Sequence, residues 1–302
     1  MDTHDLQNTG ERMVPAFHLG KLMYAEHLVR YRAISALVQG KVVADIASGS
    51  GYGSAILGET AQSVVGFDAD QDAVQYATEQ YGSSNVTFNR ADALNIPLDD
   101  HSVDVAVTFE TIEHIEDYEG FLDELARVVR PGGLVVVSTP NDLEFPEGNH
   151  FHLHEFERAE LIDQLRRRFD YIDEYFQATW KYVAIDRLDN LSTEMGLPQS
   201  TANFAPIQPD QVLYFYFLCS NDPIRQSITP LAAVGEHYSE RSRVEEEARV
   251  TTERERLIDE SRVLRLRAER AENELSATRA TRSFQAVQKL SQLSKFRPFS
   301  RR

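Results

Sequence analysis

Residues 42–53 read Val-Val-Ala-Asp-Ile-Ala-Ser-Gly-Ser-Gly-Tyr-Gly, an apolar strand that carries an acid and runs straight into a glycine-rich turn. Such a turn places backbone N–H groups where a ligand can approach closely. A second apolar run, Val64–Phe67, ends in Asp68, and the short strand Val86–Asn89 is followed by Asp92. Three strands thus deliver three carboxylates to one edge of a sheet. From Val42 onward strands and helices alternate: Val42–Ile46, a helix from Ser54, Ser63–Phe67, a helix from Asp70 to Gln80, Val86–Asn89, Val103–Phe109, a helix from Tyr118 to Arg130, and Leu134–Ser138. Short apolar runs separated by helical stretches predict an α/β fold with a parallel sheet wound on both faces.

The placement of the acids separates the candidate ligands. In a dinucleotide site the turn reads Gly-x-Gly-x-x-Gly and the helix behind it receives a pyrophosphate. Here the glycines are Gly49, Gly51 and Gly53, with Asp45 just before them. A carboxylate there repels a pyrophosphate and suits a ligand carrying an amino group and a sulfonium. S-adenosylmethionine is such a ligand. Asp68 is then suited to accept ribose hydroxyls and Asp92 to bond the exocyclic amine of adenine.

With these residues the chain resembles class I S-adenosylmethionine-dependent methyltransferases over roughly residues 10–220. The resemblance is carried by ADIASGSGYG, the acid of VVGFD, RADALNIPL, VDVAVTFETIEHI and RVVRPGGLVVVSTPN. It implies a Rossmann-like, mostly parallel seven-stranded sheet whose last two strands form an antiparallel pair. It also implies a cofactor held by Asp45, Ala47, Gly49, Gly51, Asp68, Ala69, Asp92, Ala93, Phe109 and Glu110. Ala47 stands where the family more often has glycine, and a small residue still allows close approach of the methionine moiety. At the N-terminus, Thr9–Pro15 and Glu26–Tyr31 resemble the capping segment of bacterial glycan-linked methyltransferases, which implies Arg12 or Tyr31 near the cofactor's carboxylate or adenosine; simple helix packing is the other reading.

Methyl transfer to an alcohol requires removal of its proton, so a base near the fourth strand end is the group to seek. Glu110-Thr111-Ile112-Glu113-His114 lies just past Val103–Phe109. Histidine is the residue type suited to general-base work near neutrality, which makes His114 the candidate base. The Glu-x-x-Glu-His spacing also resembles metal-assisted O-methyltransferases of ubiquinone biosynthesis, which implies a divalent ion, magnesium or manganese, on Glu110, Glu113 and His114. A third reading leaves these residues only orienting the loop. Downstream, Asn149–Phe156 places His150, His152 and His154 on alternate positions before Glu155. In an extended segment the three imidazoles share one face. His152 and His154 are candidates to contact the acceptor or act as a second base, or to complete a metal site with His114; a polar loop at the site's rim is the plainer reading.

Composition sets the remaining bounds. The 302 residues suffice for one sizeable core with appendages. Net charge −17 argues against nonspecific nucleic-acid binding. The single cysteine, Cys219, rules out an internal disulfide framework, and its apolar setting reads as a buried structural thiol. The polar first ten residues and the absence of any apolar run near the roughly 20 residues of a span place the protein in the cytoplasm.

The charge is unevenly spread. Residues 277–302 contain seven basic residues and no acid, leaving −24 on the rest. The expected organisation is a helical cap over 1–40, the α/β domain over 41–220 with an insert at 186–209 read as a lid or as disorder, a linker over 221–235, a charged helix over 236–276, and a basic tail over 277–302. Val250, Leu257, Leu264 and Ala271 recur every seven residues in the charged helix, but the companion seam is half polar. A coiled coil joining this chain to itself or to a partner and a solvated single helix are the two readings. Phe284, Val287, Leu290, Leu293 and Phe296 repeat every three residues in the tail, which resembles an amphipathic segment lying on an anionic membrane. The combined expectation is an O-methyltransferase acting on a sugar hydroxyl of a polysaccharide or glycolipid, cytoplasmic or peripheral on the inner face of the membrane. Its rivals are methylation of a small phenolic or quinone-like metabolite and a non-catalytic, cofactor-binding assembly subunit.

Overall fold

The computed structural model describes residues 12–18, 22–141, 151–179, 212–230, 265, 267, 277 and 282–294. The chain forms two compact units, Met1–Glu236 and His237–Arg302. The first holds α1 (Pro15–His18), α2 (Leu22–Ala33), β1 (Val42–Ile46), α3 (Tyr52–Gly58), β2 (Ser63–Asp68), α4 (Gln71–Tyr81), β3 (Val86–Arg90), β4 (Val103–Phe109), α5 (Tyr118–Val128), β5 (Val129–Pro140), α6 (Arg158–Arg166), β6 (Tyr171–Gln177) and β7 (Tyr214–Ser220). The seven strands make one sheet in the order β3-β2-β1-β4-β5-β7-β6. The first five neighbours are parallel, and β7 runs antiparallel to both β5 and β6. This is the Rossmann-like, mostly parallel seven-stranded sheet with a final antiparallel pair that the resemblance implied.

Strands buried on both faces explain the near-continuous apolar runs. Ala44, Ile46, Ala106 and Val137 pack with Phe121, Leu125 and Leu161 of α5 and α6 on one face. Val43, Val105, Val107 and Val136 pack with Ile34, Leu57 and Val74 on the other. Cys219 lies fully buried in the first layer, where burial pushes its thiol well up.

Three boundaries differ from expectation. The N-terminal helix ends at Ala33 rather than Val38, although Ile34, Leu37 and Val38 remain buried; Leu37 N–H bonds the Ile34 carbonyl at 2.8 Å, a tighter turn that keeps the apolar period while leaving the α-helix. The helix expected to run to Arg130 stops at Val128, and Val129 already pairs with Val103. Pro131–Gly133 is therefore an irregularity inside β5, where a Cβ on Gly133 would lie 2.6 Å from the Asp104 carbonyl. Asp70 caps α4 as expected, accepting from Asp72 N–H at 2.9 Å.

Ala47 adopts φ +59°, the left-handed region. The family's glycine thus answers a conformational demand as well as a spatial one. An L-residue there costs roughly 1–2 kcal/mol, partly offset by glycine's larger unfolded-state entropy. Ala47→Gly is expected to stabilise the fold by about 0.5–1 kcal/mol, read as a higher denaturation midpoint at unchanged m-value.

In the second unit, α7 (Arg282–Ser294) is helical, with Val287 and Leu290 about two-thirds exposed. Apart from residues 265 and 267, the charged helix expected at 236–276 lies outside the described residues, as do the 186–209 insert, His150 and Thr9–Glu11. Among the described residues no helix is long and apolar enough to cross a membrane.

Candidate active site

The site lies at the carboxyl edge of β1, β2 and β4. After β1 the chain takes three left-handed steps, at Ala47, Gly49 and Gly51. A Cβ on Gly51 would sit 2.5 Å from Ala77 and 2.9 Å from the Phe88 ring, so packing as well as φ demands glycine. Gly49 is different: a Cβ there would meet only the Arg12 side chain, at 3.6 Å. Asp68, at the end of β2, accepts from Gly49 N–H at 2.8 Å and from Asp70 N–H at 3.0 Å. Arg12 spans the two acids, 3.7 Å from Asp68 and 3.0 Å from Asp70.

Asp45 is fully buried. It accepts from the Ser54 hydroxyl at 2.6 Å and from the Tyr31 hydroxyl at 3.4 Å. Loss of hydration pushes its carboxyl up to about 7. Tyr31 lies directly over the turn; a Cβ on Gly53 would fall 2.0 Å from its ring, and Phe109 meets the ring edge-on at 4.9 Å. Gly53 therefore makes room for a protein aromatic. Asp92, beyond β3, accepts from Leu94 N–H at 2.9 Å, next to the partly buried Ala93, and the Ala69 carbonyl accepts from Arg90 at 2.9 Å.

Beyond β4 the backbone turns sharply. Glu110 takes φ +51° and its side chain accepts from the Ser138 hydroxyl at 2.7 Å. Its other oxygen lies 3.5 Å from the guanidinium of Arg30. Residues Ile112–His114 form a short 3-10 turn whose Glu113 carbonyl accepts from both Leu153 N–H, at 2.8 Å, and His154 N–H, at 3.1 Å. Those two bonds bring the histidine segment against the end of β4.

The result is a cluster of Glu113, His114 and His152, one donor atom from each lying within 4.8 Å of the others. Glu113 is almost wholly buried, one oxygen accepting from Thr139 at 3.0 Å and the other, Oε1, making no hydrogen bond among the described residues. Burial, then the nearby Glu110 charge, raise its carboxyl well above the usual range. His114 Nδ1 faces the Phe151 carbonyl at 3.0 Å. A carbonyl only accepts, so Nδ1 carries the proton and Nε2 the lone pair. His152 Nδ1 meets Glu155 at 3.2 Å, and the two imidazoles stand edge to face with centroids 5.0 Å apart. Of the expected metal set, Glu110 is instead engaged by Arg30 and Ser138. Of the expected histidines, His154 is set apart, bonded to Glu160 at 2.8 Å and packed on Phe156.

Residues 44–137 match the protein family described as a methyltransferase domain. The match is confined to this segment. It contains the glycine turn, Asp68, Asp92 and the Glu113–His114 turn. The chain is also similar to "Probable S-adenosylmethionine-dependent methyltransferase" proteins of Mycolicibacterium smegmatis, at 36% identity over 162 residues, 52% of this chain and 62% of the relative, and of Mycobacterium tuberculosis H37Rv, at 35%, with 52% and 58% covered. A demethylmenaquinone methyltransferase of Clavibacter sepedonicus is 31% identical over 148 residues, 47% of this chain and 60% of the relative. The chain thus spans about three fifths of the length of these curated relatives.

Arg30, Ser138 and Thr139 escaped the sequence reading of the α/β domain and its cap. Ser138 and Thr139 sit at the end of a strand that reads as core, and only the neighbouring β4 end gives them acids to bond. Arg30 carries a faint signal: a cation inside the otherwise apolar inner side of a helix that must pack on the sheet.

Proposed function

We propose that the chain transfers a methyl group from S-adenosylmethionine to a sugar hydroxyl of a polysaccharide or glycolipid, with His114 as the base. The observation that carries this reading is His114, held by Phe151 in the tautomer with Nε2 basic, at the same sheet edge as the glycine turn and Asp68. The residues present fit the donor: acids at the ends of β1, β2 and β3, an approachable Gly49, and a buried cation, Arg30, whose Nη atoms make no hydrogen bond among the described residues. When bound, the donor supplies an electrophilic methyl group. Asp68 then orients the ribose, and the buried wall of Tyr31 and Phe109 excludes water. His114 Nε2 takes the hydroxyl proton as the acceptor oxygen attacks, a step worth roughly 10²–10⁴ in rate.

A divalent ion at Glu113, His114 and His152 is a second reading, favoured by the donor spacing and the unbonded Glu113 Oε1. Two imidazoles and one carboxylate suit manganese or zinc better than magnesium. Such an ion would lower the pKa of an acceptor hydroxyl. The similarity to a demethylmenaquinone methyltransferase keeps a quinone-like acceptor as the alternative substrate class.

One experiment addresses these readings together. The full chain and labelled S-adenosylmethionine are offered glycan, glycolipid and quinone acceptors, each with and without chelator. Label in the carbohydrate fraction that survives chelation supports His114 acting alone, and loss on chelation with recovery on added manganese supports the ion. Label only in quinones replaces the sugar assignment, and cofactor binding without transfer to any acceptor supports the assembly-subunit reading.

We further propose that the tail docks on an anionic membrane, because seven basic residues without an acid accompany the exposed Val287 and Leu290 of α7. Binding to phosphatidylserine-containing vesicles should be strong at low salt, weaken as the Debye length shortens, and vanish when residues 277–302 are deleted. Binding that persists after that deletion would refute it.

A further inference from the structure

His114 and His152 come from segments far apart along the chain, joined where Leu153 and His154 donate to the Glu113 carbonyl. Their rings stand edge to face with centroids 5.0 Å apart, and one nitrogen of each lies within 4.8 Å of the other and of a Glu113 oxygen. Each ring is fixed through Nδ1. That of His114 faces the Phe151 carbonyl at 3.0 Å, and that of His152 faces the Glu155 carboxylate at 3.2 Å. A carbonyl only accepts, and so does a carboxylate, so both rings hold their proton on Nδ1 and their lone pair on Nε2. The His152 side chain is 9% exposed, so its bond to Glu155 is shielded from water and sets the tilt of the ring.

Two imidazole lone pairs cannot satisfy each other. A single hydroxyl brings one proton and serves one of them. An acceptor that displaces solvent from this corner therefore loses a hydrogen bond unless it carries two donors side by side. Hydroxyls on neighbouring carbons are such a pair.

We propose that the acceptor is a vicinal diol. The hydroxyl to be methylated gives its proton to His114 Nε2, and its neighbour keeps its own proton and donates it to His152 Nε2. Glu155 is the positioning residue that holds His152 in the required tautomer. The assignment rests on, and deepens, the reading of His114 as the base of a transfer from S-adenosylmethionine. One bond forms and one breaks: the attacking oxygen takes the methyl carbon, the C–S electron pair stays with sulfur, and the proton remains on His114. The second hydroxyl decides which oxygen faces the methyl group, and it makes a singly hydroxylated ring a poor acceptor. Pyranose rings and catechols both carry this feature.

The test reads binding, so that it does not depend on turnover. Ligand-observed NMR titrations use the full chain saturated with S-adenosylhomocysteine and two pairs of probes. cis-1,2-Cyclohexanediol against cyclohexanol stands for a pyranose ring, and catechol against phenol for an aromatic one. The diol of at least one pair should bind about 10-fold more tightly than its partner, the cost of leaving one acceptor unmatched. His152→Phe keeps a ring and removes the acceptor, and should bring that ratio near one. Glu155→Leu should lower it about 3-fold, and Glu155→Gln, whose amide oxygen still accepts from Nδ1, should restore it. A merely structural role would weaken both members of a pair and leave the ratio unmoved. Retained S-adenosylhomocysteine binding shows that a variant is folded, and the two Glu155 variants decide if His152→Phe does not fold. A ratio near one in the wild-type chain, or a wild-type ratio in the folded variants that remove the acceptor or its support, overturns the proposal. A ratio abolished by chelator assigns the diol to a bound ion and overturns the direct bond to His152. Preference confined to catechol upholds the diol and replaces the sugar assignment. Failure of the wild-type chain to bind S-adenosylhomocysteine refutes the cofactor reading itself and is thereby distinct.

Discussion

His114→Ala is expected to lower turnover by roughly 10²–10⁴ with cofactor affinity little changed. The size follows from the role: a hydroxyl that keeps its proton is a poor nucleophile, and Nε2 of His114 is the ring atom left with the lone pair when Nδ1 donates to the Phe151 carbonyl. Alanine also removes the bond to Phe151, so a loosened 151–156 segment would imitate a lost base. His114→Asn separates the two. The asparagine amide can still donate to the Phe151 carbonyl, but it cannot take a proton. Single-turnover rates for both variants should fall together, and a wild-type rate in His114→Asn would show that the ring only anchors the segment. Burial, and then the neighbouring Glu110 charge, raise the Glu113 carboxyl well above the usual carboxylate range.

Asp45→Asn is expected to stabilise the ligand-free protein above neutral pH by up to about 4 kcal/mol, and at the same time to weaken cofactor binding. In the folded chain the Asp45 carboxyl titrates near 7, against 3.8 for the free group, because burial removes its hydration and the bonds from Ser54 and Tyr31 replace only part of it. Between those two values the folded state holds a proton that the unfolded state has released. Stability contributed at this position is therefore full below the unfolded pKa and falls as pH rises through the folded one. Asparagine has the same shape and no charge, so the difference in unfolding free energy between variant and wild type should grow from near zero at pH 4 to its plateau above pH 7. Denaturant titrations across that range check the slope; a difference independent of pH would mean that the carboxyl is hydrated. The weakened cofactor binding follows because the charge that is costly in the empty site opposes the donor's positive groups when it is filled.

Much of the scaffold was legible in the chain. The boundaries of β1 and β4 coincide with the runs Val42–Ile46 and Val103–Phe109, since strands buried on both faces are predominantly apolar and stop where a turn intervenes. Asp70 announced the start of α4 because capping is a local bond, and the glycine turn announced itself because φ beyond +50° is demanded of Gly49 and Gly51 wherever they sit. What depends on neighbours within a few residues is written in the order of those residues. Other features were decided only when the sheet closed. The helix that should have reached Arg130 yields to pairing of Val129 with Val103, a partner 26 positions away whose pull no local propensity registers. His152, rather than Glu110, stands with Glu113 and His114, because the Glu113 carbonyl captures the N–H groups of Leu153 and His154 from far along the chain while Arg30 draws Glu110 aside. Arg30 reads as one more cation on a helix until α2 is laid on the sheet, where burial strips it of water and leaves two donors to be satisfied. The sequence by itself determined the elements, their order and the acids at the sheet edge. The tertiary structure alone decided which charged groups meet and which are buried, because those outcomes depend on distances between residues far apart along the chain.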